Sequence, residues 1–292
     1  MNLSEISPEE MYEHIIQAKL PKEQFYETRD KSRLSYRHYS ANSKLVIILL
    51  HGIAEDGKYL FRLAEYLSSK QIAQVYTPDL RGYGNSGSHK GDVDYIGQLE
   101  DDLEDFVTWI KAKNKNAKII LGGHSFGGAS MLRFSASQSA NQVHAYLFIA
   151  PFIHPSAPTT RKGDSGHSKV SLAKLILLML LEKARIRSFH HSKVLHVNKP
   201  AHIQHGGEAL QISFRLAMSR IPGNYQEKIN AITKPTFVLI GQKDELIDSD
   251  KFDSVFNQNP NIVTKVLPNH NHDGILFSQK TYREIEEWLT KL

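Results

Sequence analysis

KIILGGHSFGGAS, residues 118–130, runs from a short apolar stretch, Lys118 to Leu121, through Gly123-His124-Ser125-Phe126-Gly127 into Gly127 to Ser137, whose apolar residues are helically spaced. The pattern G-x-S-x-G on its own is weak, because glycine and serine are common in turns. Set between a strand and a helix, it implies a sharp turn at Ser125. Glycines two residues to either side let the backbone pass closely, and the hydroxyl projects at the helix N-terminus. Ser125 is therefore a candidate nucleophile. A hydroxyl attacks only when a base takes its proton, so a histidine and an orienting carboxylate must exist elsewhere. The expected chain order is serine, acid, histidine, each just after a strand.

Outward from this turn, strands and helices alternate. Leu45 to Leu50 (LVIILL) is a continuous apolar run of the kind that suits a strand covered on both faces. Ala73 to Thr77, Val143 to Ala150, Thr236 to Ile240 and Ile262 to Leu267 read as further strands. Tyr59 to Leu67, Tyr95 to Lys111, a segment near Ser249 to Phe256 and Tyr282 to Leu292 read as helices. Such alternation predicts an α/β fold, a mostly parallel sheet with helices on both faces. Phe25 to Tyr39 reads as a strand pair turning near Asp30-Lys31-Ser32. Ser7-Pro8-Glu9-Glu10 is a helix start with a capping box. The alternation stops after Pro151. We expect a core of residues 1–151 and 225–292, interrupted by a helical cap, or lid, over 152–224. That insertion holds a polar loop (SAPTTRKGDSGHS, 156–168) and the apolar run LILLMLL at 175–181. The run is apolar nearly all round, so it should pack on the core as a lid helix, line an acyl-chain tunnel, or touch a membrane surface with help from Lys183, Arg185 and Arg187.

Thr236 to Ile240 leads into Gly241-Gln242-Lys243-Asp244-Glu245, which places Asp244 at the strand end, with Glu245 and Asp248 as competitors further along the turn. Ile262 to Leu267 leads into Pro268-Asn269-His270-Asn271-His272-Asp273-Gly274. His272, just before Asp-Gly-Ile-Leu, is favoured as the base, and His270 is within reach as a solvated loop residue. Acyl transfer also needs donors for the developing oxyanion. The backbone N–H of Phe126 is one; the Ile53 N–H, in the loop His51-Gly52-Ile53-Ala54-Glu55, is the other, with His51 anchoring that loop. Asp79 to Gly87 reads as a tight structural loop and lacks the pattern of a phosphate-binding loop.

Composition narrows the function classes. The chain has 292 residues, enough for one sizeable core; Lys+Arg 36 against Asp+Glu 31 leaves +5, with the charges interleaved. No groove-reading module or basic stripe is present, and nucleic acid is not an expected partner. Cysteine is absent, which excludes disulfides, thiol nucleophiles and thiolate metal sites. His190, His191, His196, His202 and His205 lack acids in a ligand pattern, so no metal is expected. The N-terminal segment lacks the basic and apolar regions of a secretory signal, and no apolar run approaches the about 20 residues of a membrane span, so a cytoplasmic location is the default expectation.

The pieces HGIAEDG (51–57), DLRGYGNSG (79–87), GGHSFGG (122–128), GQKDELID (241–248) and NHDGIL (271–276) together resemble the monoacylglycerol lipase and lysophospholipase branch of the α/β hydrolases, which includes the serine aminopeptidase-like hydrolases. The resemblance implies the α/β-hydrolase fold, a cofactor-free serine esterase, and Ser125, Asp244 and His272 as catalytic triad. It also implies that Glu55 supports the oxyanion loop. Tyr83 stands where the family usually has histidine, and 152–224 matches only loosely. The expected activity is hydrolysis of a small-molecule or lipid ester, a monoacylglycerol or lysophospholipid, with transient membrane-surface contact through the cap. Two alternatives stand beside it: a small-substrate peptidase or amidase, for which Glu208 is an available amine-binding carboxylate, and a non-catalytic ligand-binding protein.

Overall fold

Val46 to Leu50 are almost wholly excluded from solvent. A strand buried on both faces needs a paired strand on each edge and a layer on each side. The computed structural model, which describes residues 4–162 and 166–292, shows how both are supplied. The main sheet contains β1 (Gln24–Glu27), β2 (Arg33–Tyr39), β3 (Leu45–Leu50), β4 (Gln74–Pro78), β5 (Lys118–His124) and β6 (Ala145–Ile149). Within the insertion lie β7 (Ser168–Val170), β8 (Lys193–Val197) and β9 (Gln211–Ser213), and after it the main sheet resumes with β10 (Thr236–Gly241) and β11 (Ile262–Leu267). Its order is β1-β2-β4-β3-β5-β6-β10-β11. β2 runs antiparallel to both β1 and β4. Every pairing from β4 through β3, β5, β6 and β10 to β11 is parallel. This is the expected α/β-hydrolase architecture.

The helices are α1 (Pro8–Gln17), α2 (Phe61–Ser69), α3 (Gln98–Lys113), α4 (Phe126–Phe134), α5 (Leu172–Lys183), α6 (Phe214–Arg220), α7 (Tyr225–Asn230), α8 (Phe252–Phe256) and α9 (Gln279–Leu289). α2 packs on β4 and α9; α4 packs on β5, β3, α3 and α6. The Ser7 capping box that opens α1 is formed in full, with the Ser7 hydroxyl accepting from Glu10 N–H and the Glu10 carboxylate from Ser7 N–H. Parallel strands all end on the same side of the sheet, and it is there, at the ends of β3, β5, β10 and β11, that the candidate residues gather.

Among the described residues, 152–224 contribute no strand to the main sheet. They carry α5 and α6, and also a small antiparallel sheet, β7-β8-β9, that the sequence did not announce. Residues 163–165 of the expected polar loop lie outside the described residues. The expectation that α5 packs on the core is corrected: of its residues only Leu178 is buried, against Val194 and Phe214. Leu172, Ile176, Leu177, Met179 and Leu180 face outward, each roughly half or more exposed. The helix lies on the small sheet, which buries Leu178, partly covers Leu175 and Leu181, and leaves the outward residues bare. Among the described residues no helix is long and apolar enough to cross a membrane.

Candidate active site

Ser125 takes φ 53° and ψ −123° at the junction of β5 and α4. Such a backbone costs a non-glycine residue on the order of 1–3 kcal/mol and persists only where its surroundings impose it. Here the Ser125 N–H donates to Ile149 O at 3.1 Å, and the Ser125 carbonyl accepts from Gly128 N–H at 2.9 Å and Phe152 N–H at 3.0 Å. The flanking glycines are sterically required. A Cβ on Gly123 would lie 2.6 Å from Gly127 C, and one on Gly127 would lie 2.3 Å from Leu50 O. The hydroxyl is held at the floor of a cleft, with the residue 8% exposed.

Asp244 and His272 meet across the ends of β10 and β11. His272 Nδ1 donates to Asp244 Oδ2 at 2.7 Å, and Asp244 Oδ1 accepts from the N–H groups of Leu246 and Ile247 at 2.9 and 2.8 Å. Burial by itself would push the imidazole down; the Asp244 carboxylate overrides it, with smaller help from Asp273 and Glu245, and His272 is pushed up to about 9. His272 Nε2 has no hydrogen-bond partner among the described residues. Ser125 shares the cleft with it, although no Oγ–Nε2 hydrogen bond is formed. The competitors have other duties. Glu245 accepts from the His272 N–H at 3.1 Å, and Asp248 accepts from Asp250 N–H. His270, expected in solvent, is buried: its Nδ1 donates to Pro268 O and its Nε2 accepts from the Ser278 hydroxyl, both at 2.7 Å.

Behind Ser125 a relay of buried groups locks the loops together. Gly52 N–H donates to the Tyr59 hydroxyl at 2.8 Å, Tyr59 donates to His124 Nδ1 at 2.6 Å, and His124 Nε2 donates to His272 O at 3.0 Å. Burial, reinforced by the His272 charge, holds the His124 imidazole well below its usual range, so it stays neutral. His124 thus links the Ser125 turn to the His272 loop, a link that the anonymous x of G-x-S-x-G did not reveal.

The loop 51–55 sits against Ser125: a Cβ on Gly52 would lie 3.3 Å from Ser125 Cβ. His51 is hydrogen-bonded through both ring nitrogens. Its Nδ1 donates to Gly52 O at 2.8 Å, and its Nε2 accepts from Leu80 N–H at 2.9 Å. Burial and the Arg220 charge push His51 down to about 3. Arg220, the last residue of α6, donates to His51 O at 2.7 Å and Gly52 O at 3.2 Å, and is 1% exposed. No sequence pattern pointed to Arg220. Ile53 lines the cleft, and Phe126, first residue of α4, carries one of that helix's orphan N–H groups. Glu55 does not bond within the loop; it reaches Lys199 at 2.7 Å and His205 at 3.1 Å, and Lys199 also pairs with Glu208 at 3.0 Å.

The cleft encloses about 780 Å³ and is mostly apolar, with Ile53, Phe126, Phe152, Ile203 and Leu246 among its walls. His124, His272 and Asp273 bring ligand atoms within 4.8 Å of one another. Both His124 nitrogens and His272 Nδ1 are already hydrogen-bonded, so the trio is a polar cluster of the site itself. Of the insertion's histidines, His190 faces Glu182 at 3.0 Å, His202 faces Glu9 at 3.7 Å, and His205 joins the Glu55 group.

A profile of the family described as serine aminopeptidase, S33, matches residues 41–276. The chain is 24% identical to a monoglyceride lipase of Saccharomyces cerevisiae over 96% of each chain, and 25% identical to a monoglyceride lipase of Rattus norvegicus over 72% of this chain and 68% of that one. Among solved structures, a soluble variant of the Saccharomyces cerevisiae monoglyceride lipase in complex with a substrate analog superposes with a TM-score of 0.68. It is 22% identical, over 94% of this chain and 98% of the other. A thermophilic esterase from Thermogutta terrifontis superposes at 0.64, with 20% identity over 94% and 99%.

Proposed function

We propose, from the premise that this chain belongs to the serine aminopeptidase S33 family of serine hydrolases, that it hydrolyses carboxylic esters with an apolar acyl chain, of the monoacylglycerol or lysophospholipid kind. One observation carries the reading: the 2.7 Å His272–Asp244 pair and the strained Ser125 turn share one cleft with mostly apolar walls. Ser125 Oγ attacks the ester carbonyl carbon while His272 Nε2 takes its proton, and Asp244 holds the imidazolium. The Phe126 and Ile53 N–H groups receive the oxyanion. His272 returns the proton to the departing alcohol, and water releases the acyl group by the same steps. No cofactor enters this scheme.

Residues 152–224 act as a cap over the cleft, and α5 sets that cap on a lipid surface. Its exposed leucines, isoleucine and methionine are bordered by exposed Lys169, Lys174, Lys183 and Arg185, the composition of an interfacial helix. A cytoplasmic protein working at a membrane face fits this arrangement. The peptidase reading loses its amine-binding residue, because Glu208 is buried and paired with Lys199.

The test is intact-mass labelling with a fluorophosphonate, followed by esters of graded acyl length. We expect a single adduct on Ser125, none on Ser125→Ala, and a rate optimum at long chains. Full esterase activity in Ser125→Ala would sink the mechanism. An aminoacyl-amide activity without ester activity would replace the substrate class.

A further inference from the structure

The cleft has a wall that belongs neither to the loops at the strand ends nor to the cap. Ile6, Pro8 and Met11, from the segment that opens α1, line it together with Ser125 and His272. Ile6 and Met11 are almost fully buried, 3% and 5% exposed. This segment comes from the far end of the chain and is tied to the residue next to the candidate base. Asn271 Oδ1 accepts from Ile6 N–H at 3.3 Å, Asn271 Nδ2 donates to Ile6 O at 2.8 Å, and Asn271 N–H donates to Ser4 O at 3.1 Å. The same Oδ1 accepts from Gly274 N–H at 2.8 Å, so one amide side chain binds the turn after His272 and the incoming segment together. Further ties run from Glu5 to Lys243 at 2.7 Å and from Glu9 to His202 at 3.7 Å. α1 therefore rests at once on the core turn Gly57–Leu60 and on the turn Ala201–Ile203 of the insertion.

We propose that this N-terminal segment, held by Asn271, is the specificity wall of the cleft, and that Met11 and Ile6 set how long an apolar chain the site accepts. The proposal rests on the ester-hydrolase reading above and adds the element that selects among its substrates. An apolar wall discriminates by the methylenes that it can or cannot cover, each worth about tenfold or more in kcat/KM. A wall fixed at one end by hydrogen bonds does this better than a mobile one, since its ordering cost is met during folding rather than on binding.

The experiment compares kcat/KM for 4-nitrophenyl butyrate, octanoate, laurate and palmitate in the full chain and in Met11→Trp, Met11→Ala and Asn271→Ala, each first shown to label at Ser125 with a fluorophosphonate. Met11→Trp should lower the palmitate-to-butyrate ratio about tenfold or more. Met11→Ala should raise it and move the optimum to a longer chain, and Asn271→Ala should flatten the profile. Should the tryptophan variant fail to fold, Met11→Ala and Ile6→Ala test the same wall in the opposite direction. Equal fractional changes at every chain length would mean that α1 is scaffolding only, and would overturn the proposal while leaving the hydrolase reading intact. An unaltered protein that labels at Ser125 yet turns over no ester at any length would overturn both.

Discussion

At the scale of the residue, the His272 imidazole carries the sharpest expectation. It acts as a base only when neutral, and its nearby carboxylates hold it at about 9 in the free protein. Ester hydrolysis at low substrate should therefore rise with pH through the neutral range and level off near pH 9, read as the acid limb of kcat/KM. Asp273 lines the cleft beside His272, and its charge favours the imidazolium. Asp273→Asn should move that limb to lower pH and raise activity at pH 6 relative to the plateau; an unmoved limb would separate Asp273 from the base. The same shift bears on stability. His272 titrates higher in the folded chain than its ordinary value of 6.5, so its favourable contribution is fully present below about pH 6.5 and is lost as pH rises through about 9. Thermal denaturation across that window should show a falling Tm in the unaltered protein and a shallower fall in Asp244→Asn.

At the scale of the element, two contacts decide whether the site is assembled. Gly127 lies where α4 presses on β3, and any side chain there meets Leu50 O. Gly127→Ala should cost about 1–3 kcal/mol or more in urea denaturation, since backbone cannot step aside as a side chain does. Arg220 holds two loop carbonyls from α6, so Arg220→Met should leave KM for a short ester nearly unchanged and lower kcat, by up to the roughly hundredfold that one misplaced oxyanion donor costs. Arg220→Lys should not restore the rate, because a single ammonium lacks the fork that spans both carbonyls. A fall in KM-linked binding alone would contradict the positioning role.

These elements also show what a sequence can disclose. Val46 to Leu50, Ile119 to Leu121 and Phe237 to Ile240 are buried on both faces, and burial of that kind writes itself as uninterrupted apolar residues. The turn at Ser125 is legible because its steric demands admit only glycine on either side. Asp244 could be named as a candidate because it follows such a strand, and His272 because it follows β11, an edge strand that is largely exposed but still ends in a turn, Pro268-Asn269. β7, β8 and β9 leave little trace: they are short, and β7 is fully exposed. Arg220, Tyr59 and Asn271 act through partners 168, 65 and 265 residues away, and no local pattern encodes a partner that distant. The direction in which α5 faces was open for a related reason, since a helix apolar all round has no polar side to mark the solvent.

At the scale of the whole molecule, the insertion that carries the bare face of α5 also supplies part of the cleft's lining, through Val197, Pro200 and Ile203. An ester that lives in a bilayer would be met first by α5 and then by Ser125. Ile176→Asp with Leu180→Asp should abolish sedimentation with phosphatidylserine-containing vesicles, while turnover of a freely soluble butyrate ester stays near that of the unaltered protein. Binding by the unaltered protein should weaken at 1 M salt, where charges are screened beyond about 3 Å, without vanishing, because the apolar face remains. Vesicle binding unaffected by the double substitution would remove α5 from that role. The tie between Ile6 and Asn271 has one more consequence, in the order in which the molecule is made. The two residues are 265 positions apart, so the first wall of the cleft leaves the ribosome roughly 15–50 s before its fastener does. His272 follows Asn271 directly. A nascent chain that has released Ser125 but not yet Asn271 and His272 thus carries the candidate serine and the apolar wall without the candidate base or the bonds that fasten the wall.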